Sequence, residues 1–365
     1  MIDLTTLALR HAAILGRACA LALGLSAPAA ALAPVMAQET RQESPEAFYK
    51  GRKIDIVIGF SVGGGYDAYA RILARHMGEH IPGKPSLIPR NMTGAGSRIA
   101  AGFVHSVAAK DGTVMGIVDQ SMPLEQALDP AAMKFDSREF NWIGNVVADN
   151  NIVATWHTSP VKTIEDAKKI EATMGATGYN TSSQYPTVLN QMIGTKFKVI
   201  MGYPGGAEVN LAMERGEVQG RGSNSWASYK GTKGDWVRDG KVIILAQVGL
   251  KRAEDLPNVP LLQELATNEQ DRAAMRLLSA PTAIGRPFFA PPGVPADRVK
   301  ALRAAFDATM KDKNFLDEAQ RLNLDVNPVS GEDLQKIVAD IVDAPTEAKK
   351  RLSAVLALVE REKAK

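Results

Sequence analysis

The stretch Ile54-Asp55-Ile56-Val57-Ile58-Gly59-Phe60-Ser61-Val62-Gly63-Gly64-Gly65-Tyr66-Asp67-Ala68-Tyr69-Ala70-Arg71-Ile72-Leu73 decides the fold. It opens on a β-branched apolar run, breaks at residues 59–65, and continues with Ala68, Ile72, Leu73 and Met77 at helical spacing. The order is strand, glycine loop, helix. Three consecutive glycines leave bare backbone N–H groups at the helix start, where unpaired donors and the positive dipole end favour an anion. Asp67 reads as a first-turn cap paired with Arg71 at i+4, since a carboxylate beside a bound anion would otherwise repel it.

Outward from this unit the pattern recurs. Ser86-Leu87-Ile88 leads into Asn91-Met92-Thr93-Gly94-Ala95-Gly96, and Ser97 is positioned to cap a helix marked by Ile99, Ala100, Phe103, Val104 and Val107. Asp111-Gly112 turns the chain into a strand over 113–118. In the second half, a strand over 174–178 precedes the loop Tyr179-Asn180-Thr181-Ser182-Ser183, with Pro186 in the first turn of the next helix. A strand over 198–201 precedes Gly202-Tyr203-Pro204-Gly205-Gly206 and another helix, and 242–249 is again a strand. The proline-rich stretch 287–295 introduces a helix over 296–310. Helices over 331–342 and 345–363 close the chain and cover a lobe rather than build a new domain. Strands alternating with helices imply an α/β protein with largely parallel sheets. The loops at Thr181-Ser182-Ser183 and Gly205-Gly206 offer donors like those of the triple glycine. Two halves of the chain thus contribute to a cleft that closes on a carboxylate.

Composition narrows the function classes. Arg10 and Arg17 precede an apolar run over 18–33, then Val35-Met36-Ala37, which reads as a secretory signal cleaved after Ala37. The run is too short and too broken by Pro28 to span a bilayer, and the residues before Cys19 do not form a lipid-attachment site. Cys19, the one cysteine of the 365 residues, leaves with the signal. The exported chain then has no disulfide, thiolate metal site or cysteine nucleophile. With 43 Lys+Arg against 40 Asp+Glu, charge is too balanced for a nucleic-acid partner.

Three motifs compete for attention. Gly59-Phe60-Ser61-Val62-Gly63 fits the G-x-S-x-G nucleophile elbow between strand and helix, and a secreted serine hydrolase using Ser61 is the alternative function. That elbow requires a late histidine, and none follows His157. His76-Met77-Gly78-Glu79-His80 has metal-ligand spacing but no third ligand, and reads better as histidines at a helix C-terminus. Gly94-Ala95-Gly96 lacks the third glycine of a dinucleotide fingerprint and reads as a turn. No cofactor and no metal are expected.

The segment 59–71 resembles the P-F-x-P-G-G-x-x-D-x-x-A-R signature of the tripartite tricarboxylate transporter substrate-binding proteins, the Bug family. The resemblance continues in order through Asn91-Met92-Thr93-Gly94-Ala95-Gly96, Asp111-Gly112, Gly202-Tyr203-Pro204-Gly205-Gly206, Lys251-Arg252, Leu256-Pro257-Asn258-Val259-Pro260 and Ala290-Pro291-Pro292-Gly293-Val294-Pro295. It departs at Gly59, Val62, Ser97 and Pro204. The resemblance implies a type II periplasmic-binding-protein fold, with lobe one at 45–149 plus 250–345, lobe two at 150–249, and a terminal helix at 346–365 packing on the lobes. It implies a non-enzymatic monomer that captures a di- or tricarboxylate or an aromatic acid for a membrane permease or a sensor protein. Carried over residue by residue, it marks Phe60, Ser61, Gly63, Gly64, Gly65 and Asp67 of lobe one and Pro204, Gly205 and Gly206 of lobe two. Thr181, Ser182 and Ser183 join them on loop position and polarity alone.

Overall fold

The computed structural model describes residues 43–363. The segment 1–37 expected to be a cleaved signal, with Cys19, lies outside the described residues. In chain order the strands are β1 Lys53–Ile58, β2 Ser86–Asn91, β3 Val114–Ile117, β4 Asn141–Asn145, β5 Asn151–Trp156, β6 Ala172–Ala176, β7 Phe197–Met201, β8 Gly220–Ser225, β9 Val242–Val248, β10 Pro287–Ala290 and β11 Val329–Ser330. They form two sheets, one ordered β11-β4-β10-β3-β1-β2 and the other β7-β6-β8-β5-β9. Each sheet belongs to one lobe. The chain passes from the first sheet to the second between β4 and β5 and returns between β9 and β10.

The apolar run read from the sequence is β1, with Ile54, Ile56 and Ile58 fully buried. They pack with Tyr69, Ile72 and Leu73 of the helix Gly65–His76 and with Phe288, Phe306 and Phe315. In the second lobe Ile152, Trp156, Val209, Met213, Trp226 and Trp236 form a separate cluster. The C-terminal helix Thr346–Lys363 packs on the helices Glu269–Ser279, Thr181–Ile193 and Met122–Leu128, burying Leu352, Val355 and Leu356. No helix among the described residues is long and apolar enough to cross a membrane.

The sheets are mixed rather than largely parallel. β1 pairs parallel with β2 and β3, and β6 with β7 and β8, but β10 runs antiparallel to β3 and β4, and β5 antiparallel to β8 and β9. Reversal occurs where the chain enters each sheet from the other, because such a strand does not follow a βαβ crossover within its own sheet. Two local expectations also change. Ser97 precedes the helix Arg98–Ser106 but has φ +74° and gives it no side-chain cap; its Oγ instead accepts the Asp119 amide at 2.8 Å. Thr181-Ser182-Ser183 is the first turn of the helix Thr181–Ile193, not a loop, which leaves Pro186 inside the helix. Asn180 holds that turn through its Oδ1, which accepts from the Ser182 amide at 3.0 Å and hydroxyl at 2.6 Å.

Candidate functional site

Parallel register brings the loops of each lobe to one edge. Ile58 pairs with both Asn91 and Ile117, so the turns after β1, β2 and β3 emerge side by side. Ala176 pairs with Met201, which does the same for the turns after β6 and β7. The two edges meet across the interlobe cleft. The Ser61 hydroxyl donates to Glu208 Oε2 at 2.6 Å. A Cβ added at Gly205 would lie 2.0 Å from Ser61 Oγ, and one at Gly64 would lie 3.6 Å from the Gly206 nitrogen. At Gly205 the two lobes approach this closely only because the position carries no side chain, whereas at Gly64 a Cβ would make an ordinary contact.

Between the edges lies a cavity of about 40 Å³. That is room for a few water molecules, so a larger guest enters only when the lobes part. Its walls include Gly65, Thr181, Ser182 and Gly206. These residues begin three helices, Gly65–His76, Thr181–Ile193 and Gly206–Glu214. The N-cap residues of the first and third, Gly64 and Gly205, provide no side-chain cap, so their opening N–H groups and dipoles add to the field at the cavity.

Two buried guanidiniums share these walls. Arg221 on β8 donates to the Ser223 carbonyl at 2.9 Å, to Asn210 Oδ1 at 2.9 Å and to the Gly206 carbonyl at 3.3 Å. Burial pulls its pKa below the ordinary guanidinium value; Tyr229 opposes this and Arg286 adds to it. Arg286 donates to Ser228 Oγ at 2.8 Å and lies 4.1 Å over the Tyr66 ring, while its buried Nε has no partner. Among the described residues no carboxylate lies within ion-pair distance of either arginine. Asp119, 4% exposed, also lines the cavity. Burial raises its pKa, offset by donors from Ser121, by Arg286 and by the Thr181 side chain.

Of the residues expected from the sequence, Phe60, Gly64, Gly65, Thr181, Ser182 and Gly206 come together on the cavity wall. Ser61, Gly63, Asp67, Ser183, Pro204 and Gly205 are not on that wall. Ser61 and Gly205 form the interlobe contact beside it. Asp67 is the expected cap: its carboxylate accepts from the Gly63 amide, Asn91 and Arg71, each at 2.9 Å. Burial works against its charge, but those donors hold its pKa below the usual carboxylate range. Ser183 Oγ turns back to the Asn180 carbonyl at 3.2 Å. Sequence reasoning missed Arg221, Arg286, Asp119, Tyr66 and Asn151. The polar run Gly220-Arg221-Gly222-Ser223-Asn224-Ser225 carries no apolar alternation, yet it is a fully buried strand whose polar groups face the cavity.

The rival motifs resolve by geometry. Ser61 is paired with a glutamate, whereas His76, His80 and His105 are paired with Glu318, Asp312 and Glu139, and His157 lies beside Trp156. Gly94, Ala95, Gly96 and Ser97 all have positive φ, so the G-x-G is a tight left-handed turn.

Two α/β lobes around a cleft lined by helix N-termini define a periplasmic-type solute-binding protein, a receptor rather than an enzyme. The chain belongs to the tripartite tricarboxylate transporter receptor family, whose model matches residues 69–352. It is 26% identical over 330 residues to a UPF0065 protein in the gbd 5′ region of Cupriavidus necator, covering 87% of this chain and 92% of that protein. Its fold is similar to that of the periplasmic binding protein BugD, with a TM-score of 0.68 at 22% identity, covering 84% of this chain and 98% of that one. It is also similar to MatC of Rhodopseudomonas palustris, solved with bound malate. There the TM-score is 0.63 at 20% identity, covering 84% of this chain and 99% of that one.

Proposed function

We propose that this receptor is released from its signal after Ala37 and, as a monomer, captures a small organic carboxylate between its lobes. It then delivers that acid to the membrane permease of a tripartite tricarboxylate transporter. The observation that carries the reading is the pair Arg221 and Arg286, two buried cations without a carboxylate at ion-pair distance among the described residues, on one wall with three helix N-termini. Neither guanidinium has an ion-pair partner of its own and Asp119 is the one carboxylate on their wall, so an incoming carboxylate supplies the counter-charge they lack. Phe60, Gly64, Gly65, Thr181, Ser182 and Gly206 contact the acid in this reading, Ser61, Gly63 and Gly205 shape the lobe contact beside it, and Asp67 and Ser183 brace the loops of their own lobes. The malate bound by MatC supports the same ligand class.

A panel of di- and tricarboxylates and aromatic acids tests the reading by thermal unfolding and calorimetry. A true ligand at ~100 times its Kd stabilises the native state by ~2.7 kcal/mol. A panel that shifts nothing, together with no small acid in mass spectra of gently purified protein, rejects carboxylate capture. Sequencing the exported protein from its N-terminus is expected to begin at Gln38.

A further inference from the structure

We propose that the captured acid bears a hydrogen-bond donor beside its carboxylate, a hydroxyl or an ammonium group, and that Asp119 selects for it. The inference rests on reading the cavity as a carboxylate site. Asp119 follows β3 and lines the same small cavity as Arg221 and Arg286. Its Oδ1 accepts from the Ser121 amide at 2.9 Å and the Ser121 hydroxyl at 2.7 Å. Both donors are neutral, and among the described residues no Lys or Arg nitrogen comes within ion-pair distance.

The contrast with Asp67 is instructive. Asp67 is neutralised by Arg71 at 2.9 Å and points its oxygens at its own helix and at Asn91, so it does not oppose an anion. Asp119 has no such cation and shares about 40 Å³ with whatever anion enters. A plain carboxylate there meets a like charge. A hydroxyl or ammonium on the ligand converts that repulsion into a charge-assisted hydrogen bond. The charged side chains on the wall are two guanidiniums and one carboxylate, an excess of guanidinium that favours an anion. A hydroxy- or amino-bearing mono- or dicarboxylate meets both conditions.

Matched pairs test this by calorimetry on the full-length exported protein: L-lactate against propionate, and L-aspartate and L-malate against succinate. In at least one pair the donor-bearing acid is expected to bind roughly tenfold tighter or more. In Asp119→Asn, which keeps the shape, that preference is expected to shrink to about twofold. If plain acids bind the unaltered protein as tightly as their donor-bearing partners, as they would were Asp119 to carry a proton and donate it, the inference fails while carboxylate capture stands. A preference that survives in Asp119→Asn also overturns Asp119 as its source. If none of the acids binds and the wider acid panel is equally silent, both readings fall. The comparison on the unaltered protein decides the main point even if the variant does not fold.

Discussion

At the scale of single residues, the site is shaped as much by what is missing as by what is present. Gly64 faces the Gly206 nitrogen of the other lobe, and its own φ of −85° accepts a side chain, so Gly64→Val adds bulk without backbone strain. Its methyl groups fill the space in front of an N-terminal N–H. Ligand affinity measured by calorimetry is expected to fall roughly tenfold or more while the circular dichroism spectrum is unchanged; unaltered affinity removes the glycine loop from the site. Arg221 illustrates the opposite case. Its fork donates to Ser223, Asn210 and Gly206 together, which a lysine ammonium on a flexible stem does not reproduce. Arg221→Lys is therefore expected to lose most of the affinity despite keeping the charge, and near-native binding by this variant shows that charge alone matters. The glycines were legible because three in a row have few other uses. Arg221 was not, because a lone arginine among Gly, Ser and Asn reads as surface until the fold buries it.

At the scale of elements, the helix Met122–Leu128 carries a group that couples stability to pH. Glu125 is buried, and its pKa is pushed up to about 7 by burial first and by Asp119, against the pull of Arg98 and Ser121. Arg98 Nη2 lies 2.8 Å from it, and Gln184 of the second lobe donates at 3.4 Å. Because the folded pKa exceeds the ordinary value of 4.5, the native state retains a proton that the unfolded chain has released. The stabilisation is fully present below the unfolded value and is lost as pH rises toward about 7, a change of about 3 kcal/mol. Urea unfolding at pH 5 and pH 8 is expected to show this decline, and Glu125→Gln to flatten it; equal slopes in both proteins refute the assignment. The element boundaries show what periodicity captures. The closing helices match their expected spans because each has a regular apolar face, whereas β4, β5, β8 and β10 went unread. β5 was readable in principle as Ile152-Val153-Ala154-Thr155-Trp156. β8 was not, since its burial depends on polar partners.

At the scale of the whole molecule, the proposed capture requires the two lobes to part and close, and a ligand shifts such a balance only by binding the closed form better. The Ser61–Glu208 bond is one contact across the mouth, partly exposed and therefore worth ~1 kcal/mol or less. Ser61→Ala is expected to loosen the ligand-free protein, read as a larger radius of gyration in solution scattering, and saturating ligand to restore the compact value. A scattering curve insensitive to both the variant and the ligand argues against closure as the mechanism. No disulfide is available to tie the lobes, since Cys19 is the only cysteine of the chain.

The sequence by itself determined the α/β class, the strand–glycine–helix unit at residues 54–73, the anion-ready helix starts and the family resemblance. The first three follow from local periodicity and from backbone conformations that few residues adopt, and the resemblance from motifs matched in order along the chain. Only the tertiary structure decided which loops meet, that the sheets are mixed, and that Arg221, Arg286 and Asp119 converge on one cavity from β8, the approach to β10 and the turn after β3. The physical reason is that burial of a polar side chain is a property of the packed fold. Nothing in the spacing of an arginine or an aspartate along the chain reports whether water or a second lobe will cover it.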